Sequence, residues 1–113
     1  MHELKDKVTI VTGGGGGIGG AIARHFACEG AKIAVADINA ESAQQRVAEI
    51  AGQGGDAFGV VVDVTNKKSV QEMVRLTLER EGKIDILVNV AGGADPKLVI
   101  DMEESDWDHI VNQ

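Results

Sequence analysis

The sequence predicts a doubly wound α/β fold, a mostly parallel sheet with helices on both faces. Three observations carry that expectation. Short apolar, β-branched runs alternate with amphipathic segments of about three turns. A run of five glycines, Gly13 to Gly17, separates the first such strand from the first helix. The 113 residues amount to one domain, enough to bury a core but short of a two-domain enzyme.

The first strand is read at Lys7 to Thr12, a β-branched run that ends at the glycines as a buried parallel strand does. Gly19 to Glu29 follows as a helix, with Ile18, Ile22 and Phe26 at four-residue spacing and Gly30 placed for a left-handed helix end. Lys32 to Asp37 is a second apolar strand. Asn39 to Gln53 sets Ala43, Val47, Ile50 and Ala51 on one stripe and Glu41, Gln44, Gln45, Arg46 and Glu49 elsewhere, and Gly52, Gly54 and Gly55 end it. Ala57 to Val64 is a third strand. Ser69 to Arg80 is a third helix with Val70, Met73, Val74 and Thr77 inward and a Ser69/Glu72 capping box. Ile84 to Val88 is a fourth strand, and after a loop containing Pro96, Ser105 caps a helix with Trp107, Ile110 and Val111 on one face. Crossovers between parallel strands of this kind are right-handed.

Hydrophobic residues make up 43% and charged residues 26%, as in ordinary globular proteins. The formal charge of −7 argues against an electrostatic footprint for nucleic acid or an anionic membrane, both of which need clustered Lys and Arg. Single Cys28 cannot form an internal disulfide, the first residues are too polar for a signal peptide, and no apolar run approaches a bilayer span. A cytoplasmic protein is expected.

Between a strand and a helix, a glycine run brings backbone N–H groups and the helix dipole to a phosphate, with no side chain to hold the phosphate away. The run fits three registers: Gly14, Gly16, Gly19; Gly15, Gly17, Gly20; and Gly13, Gly17, Gly19. No Gly-Lys-Ser/Thr follows, which disfavours a P-loop. Asp37 ends the second strand 18 residues after Gly19, close to the spacing of about 20 at which an acid reaches an adenosine ribose. A carboxylate there accepts both ribose hydroxyls and repels a 2′-phosphate, and neither the glycine loop nor Ile38, Asn39 and Ala40 offers a cation to offset it. NAD is favoured over NADP. A strand-end acid can also cap the following helix, and the two roles are compatible.

Taken together, Thr12-Gly13-x-x-x-Gly17-Ile18-Gly19, Asp37, Asp63-Val64 and Asn89-Val90-Ala91-Gly92 resemble the short-chain dehydrogenase/reductase family, from about Leu4 to Gln113. The resemblance implies a Rossmann fold, here cut after about four strands, with residues 1–113 as its dinucleotide-binding part. It selects the register Gly13, Gly17, Gly19. It gives Asp63 to the adenine amino group and Val64 to the adenine face. It assigns Asn89 to tying the central sheet together, with the backbone at Ala91 and Gly92 lining the nicotinamide-side ribose. Val90 departs from the family pattern at a tolerant position. The implied cofactor-binding set is Gly13, Gly16, Gly17, Ile18, Gly19, Asp37, Ile38, Asp63, Val64, Asn89, Ala91 and Gly92.

The same resemblance implies an NAD-dependent oxidoreductase for a secondary alcohol or ketone, and a homo-oligomer. The family's acid/base is a Tyr aided by a Lys four residues on and a Ser, and this chain has no Tyr. Ser42, Ser69 and Ser105 precede the family's catalytic Ser position, and Trp107-Asp108 align with its W-D element, so the expected chain carries no catalytic residue. The alternative is a nucleotide-binding or interaction module without turnover, which would have to manage an exposed Ile84 to Val88 edge. Asp101, Glu103, Glu104, Asp106 and Asp108 read as dipole-favoured acids, not as metal ligands. His25 and His109 read as solvated, and Cys28 as helix packing.

Overall fold

The computed structural model describes residues 4–90 and the backbone of 97–100. Strands and helices alternate as the patterning requires: β1 (Val8–Thr12), α1 (Gly17–Cys28), β2 (Lys32–Asp37), α2 (Ala40–Gly52), β3 (Asp56–Val61), α3 (Lys67–Glu81), β4 (Ile86–Asn89) and β5 (Lys97–Ile100). The sheet order is β3-β2-β1-β4-β5. The first four strands in that order are mutually parallel, and β5 joins β4 antiparallel, with Ile86 opposite Ile100 and Asn89 opposite Lys97. The free β4 edge expected from the sequence is therefore covered. A four-residue strand folding straight back on its neighbour has no periodicity long enough to stand out in a sequence.

Period-2 alternation along the central strands builds two cores. Val11, Ile33, Val35, Ile86 and Val88 point to one face, where Ala23 and Ala27 of α1 and Ala43 and Ile50 of α2 cover them. Ile10, Ala34, Ala36 and Val60 point to the other, under Met73 and Val74 of α3. Full burial of side chains such as Ile10, Ile33 and Ile50 stabilises by about 1.5–3 kcal/mol each. Of the inward set expected for α3, Met73, Val74 and Thr77 are buried and Val70 flanks the core. For α1 it is not. Ile18 is 62% exposed and Ile22 and Phe26 only flank the core, while Gly19, Gly20, Ala23 and Ala27 make the buried face. Small residues let α1 lie close on the sheet, which a count of large apolar residues cannot detect. Cys28 is exposed, not packed, with Sγ 4.0 Å from Gln53 Oε1.

Helix ends differ in detail from the sequence reading. Asn66, not Ser69, caps α3 by accepting the Ser69 N–H at 3.0 Å, and Ser69 Oγ accepts from the Asp63 N–H at 2.9 Å. Glu72 pairs with Arg75 instead of completing a capping box. At the foot of the sheet, Asp85 Oδ2 accepts the Val8 N–H at 2.9 Å and the Asp85 N–H donates to the Val8 carbonyl, clamping β1 to the entry of β4. Burial pushes the Asp85 carboxyl up, but the Val8 N–H and the Lys83 and Lys7 ammonium groups outweigh it and leave it below the ordinary aspartate value.

Candidate functional site

The strand order reverses between β1 and β4, so loops from neighbouring strands leave toward opposite faces and open a crevice above the carboxyl ends. The glycine loop rises from β1 at that point. Gly13 takes φ 71°, a turn open to glycine, and the chain enters α1 at an N-cap Gly16 that offers no side-chain acceptor. The first helical bond runs from the Gly20 N–H to the Gly16 carbonyl at 2.7 Å. The N–H groups of Gly17, Ile18 and Gly19 precede it, and no acid lies in the first turn. Such a helix end favours an anion.

Two glycines of this loop do different work. A Cβ at Gly19 would stand 2.1 Å from the Gly13 carbonyl oxygen, so Gly19 is required for the loop to close on its own helix. A Cβ at Gly17 would meet nothing within 4 Å. Gly17 is exposed, and its missing side chain leaves open space in front of the helix end.

Asp37 ends β2 beside this cradle with its carboxylate fixed on both oxygens. Oδ2 accepts the Gly15 N–H at 3.0 Å and Oδ1 accepts the Asn39 N–H at 2.9 Å. Asn39 in turn caps α2 through the Ser42 N–H, so Asp37 supports the turn into that helix as well as facing the loop. Ile38, the next residue, is 70% exposed beside it.

At the far side of the crevice, Thr12 Oγ1 donates to Asn89 Oδ1 at 2.7 Å, and the Val90 N–H donates to the Thr12 carbonyl at 3.2 Å. This buried hydroxyl joins the ends of β1 and β4. Its part in organising the site has no sequence signal beyond its place before the glycines. Asp63 follows β3 and lies farther along the same edge. Its Oδ1 accepts both the Thr65 hydroxyl at 2.6 Å and the Thr65 N–H at 2.9 Å, and the hydroxyl bond, followed by the backbone bond, holds the carboxyl below its ordinary value. Val64 packs partly under α3.

The structure thus gathers Gly13, Gly16, Gly17, Ile18, Gly19, Asp37, Ile38 and Asn89 at the carboxyl end of the sheet, with Asp63 and Val64 at its β3 side. Ala91 and Gly92 lie outside the described residues, as do the helix expected from Ser105, Trp107-Asp108, His109 and the acidic residues from Asp101 to Asp108. Among the described residues, no group of three or more His, Cys, Asp or Glu could hold a metal ion, and no helix is long and apolar enough to cross a membrane.

The family model for short chain dehydrogenase matches residues 7–113. The chain belongs to the short chain dehydrogenase family. It is 43% identical over 105 residues to a 7alpha-hydroxysteroid dehydrogenase of Escherichia coli, covering 93% of this chain and 41% of that protein. It is 38% identical over 110 residues to the 3-oxoacyl-(acyl-carrier-protein) reductase FabG of Thermotoga maritima, covering 97% of this chain and 45% of that one. Among solved structures, a 7 alpha-hydroxysteroid dehydrogenase complexed with NADH and 7-oxo glycochenodeoxycholic acid superposes with a TM-score of 0.78 at 44% identity, over 91% of this chain and 40% of the other. This short chain dehydrogenase chain therefore spans about two fifths of the length of the relatives it matches.

Proposed function

We propose that these residues form the NAD-binding part of an oxidoreductase acting on a secondary alcohol or ketone. The observation that carries this reading is the Asp37 carboxylate, anchored by the Gly15 and Asn39 N–H groups beside a helix end whose Gly17 leaves open space. The N–H groups of Gly17, Ile18 and Gly19 would hold the pyrophosphate, and the space in front of Gly17 is what a closely approaching phosphate needs. Asp37 would accept the adenosine ribose hydroxyls and disfavour a 2′-phosphate. Exposed Ile38 would flank the adenosine, with Asp63 and Val64 toward the adenine. Asn89 and the backbone at Ala91 and Gly92 would line the nicotinamide side.

When bound, NAD supplies the acceptor for a hydride from a carbinol carbon. The roles left to this chain are to bind, orient and select the dinucleotide, since it contains no tyrosine to take the hydroxyl proton as the family's acid/base does. Support for the redox class comes from family membership, and for NAD from the complex of the similar 7 alpha-hydroxysteroid dehydrogenase with NADH. Calorimetric titration of the chain with NAD and NADP, alongside turnover assays on secondary alcohols, tests the reading. Saturable, NAD-selective binding without turnover is expected. Absence of nucleotide binding by the folded chain refutes it.

A further inference from the structure

Resting on the dinucleotide reading above, we propose that Arg46 is a positioning residue for the site: by holding the Gly15 carbonyl it restrains the residue whose N–H, one peptide plane earlier, meets the Asp37 carboxylate. A glycine loop has more backbone freedom to lose than any other segment, so each peptide plane needs an outside restraint. Main-chain bonds hold two of them, from the Gly14 N–H to the Ala36 carbonyl and from the Gly16 N–H to the Gly13 carbonyl. Side chains hold Gly15 on both sides of its Cα, in two successive peptide planes. Its N–H, in the plane shared with Gly14, donates to Asp37 Oδ2 at 3.0 Å, and its carbonyl, in the plane shared with the Gly16 N–H, accepts from Arg46 Nε at 3.2 Å.

Arg46 is itself fixed. Nη1 donates to Glu49 Oε1 one turn along α2, and Glu49 Oε2 accepts from Arg24 Nη1 of α1 at 3.1 Å. The chain of contacts Arg24, Glu49, Arg46, Gly15, Asp37 links both helices of this face to the loop. The bond from Arg46, ahead of the charges around it, holds the Glu49 carboxyl below its ordinary value. Room for the guanidinium comes from α1: a Cβ at Gly20 would stand 2.7 Å from Arg46 Nε and 2.8 Å from its Cδ. Arg46 crosses α1 where that helix carries no side chain. The planar fork can direct Nε to Gly15 and Nη1 to Glu49 at once, a geometry a lysine ammonium cannot reproduce.

Arg46→Met keeps length and helix propensity but removes the brace. Hydrogen exchange at the Gly15 amide, followed by NMR without nucleotide, should then accelerate. Affinity for NAD should fall roughly tenfold, the scale of one charge-assisted hydrogen bond. The preference for NAD over its 2′-deoxyadenosine analogue should shrink with it, because the carboxylate that reads the hydroxyl is no longer aligned. Arg46→Lys should not rescue either readout. Gly20→Ala reaches the same brace from the other side and carries the test should Arg46→Met not fold. In Gly20→Ala too, Gly15 exchange should accelerate and NAD affinity fall, and a folded Gly20→Ala protein with both unchanged overturns the inference. A folded Arg46→Met protein with unchanged Gly15 exchange and an unchanged NAD to deoxy-analogue ratio overturns the inference, because a role in stability alone moves neither. Wild-type chain that takes no NAD overturns the dinucleotide reading instead, and Gly15 exchange still decides whether Arg46 restrains the loop.

Discussion

Alanine at Gly17 and alanine at Gly19 should produce opposite defects, although both positions lie in one helical turn. At Gly17 the new methyl meets nothing within 4 Å, and alanine suits a first helical turn better than glycine by up to about 1 kcal/mol. Gly17→Ala should therefore fold at least as stably as the parent. The methyl occupies the space assigned to the pyrophosphate, and overpacking of that order costs about 1–3 kcal/mol, or roughly 5- to 150-fold in Kd for NAD. At Gly19 the methyl would sit 2.1 Å from the Gly13 carbonyl oxygen and 2.7 Å from its carbon, backbone that cannot rotate aside. Gly19→Ala should lose about 3 kcal/mol of stability or more, a drop in Tm of roughly 10 °C or greater for a domain of this size. Thermal denaturation with and without NAD, together with calorimetric titration, separates the two. A Gly17→Ala protein that binds NAD like the parent, or a Gly19→Ala protein that melts like it, would refute the assignment of space in this loop.

Other outcomes follow from the packing. The hydroxyl of fully buried Thr9 has no hydrogen-bond partner among the described residues, so Thr9→Val should raise stability by about 1–2 kcal/mol in urea denaturation, and a loss would contradict it. Asp85 carries a carboxyl held below its ordinary value of 3.8, so its contribution is present above that pH and is lost as the pH falls through the lower folded value. Asp85→Asn should be less stable than the parent by about 2 kcal/mol at neutral pH. The gap should narrow on acidification below the ordinary aspartate range, and a pH-independent gap would assign the effect to packing. Asn66→Ala removes the cap on α3 and should cost about 1 kcal/mol, read by denaturant midpoint.

The sequence made the carboxyl-end geometry legible because strand ends and glycines mark themselves. The apolar run Lys32 to Asp37 matches the observed strand residue for residue, Asp37 stands where its spacing puts it, and Gly30 has the left-handed φ of 95° expected of a helix end. Features set by tertiary approach were not legible. α1 buries Gly19, Gly20, Ala23 and Ala27 because close packing on the sheet excludes large side chains, so its Ile and Phe stripe misleads. Asn66 displaces Ser69 as cap because Ser69 Oγ is engaged by the Asp63 N–H, a bond between a loop and a helix. By sequence alone Arg46 is one more polar residue of α2. Only the crossing of α2 over α1 brings its Nε to Gly15. The same crossing places a cation at a loop whose own sequence has none.

The most direct test of the account is a paired titration of the wild-type chain and Asp37→Ala with NAD and NADP. The account predicts saturable binding of NAD by the wild type with NADP weaker, and in Asp37→Ala a weakened affinity for NAD with the discrimination largely gone. Selectivity that survives the loss of Asp37, or a wild type that prefers NADP, would contradict it.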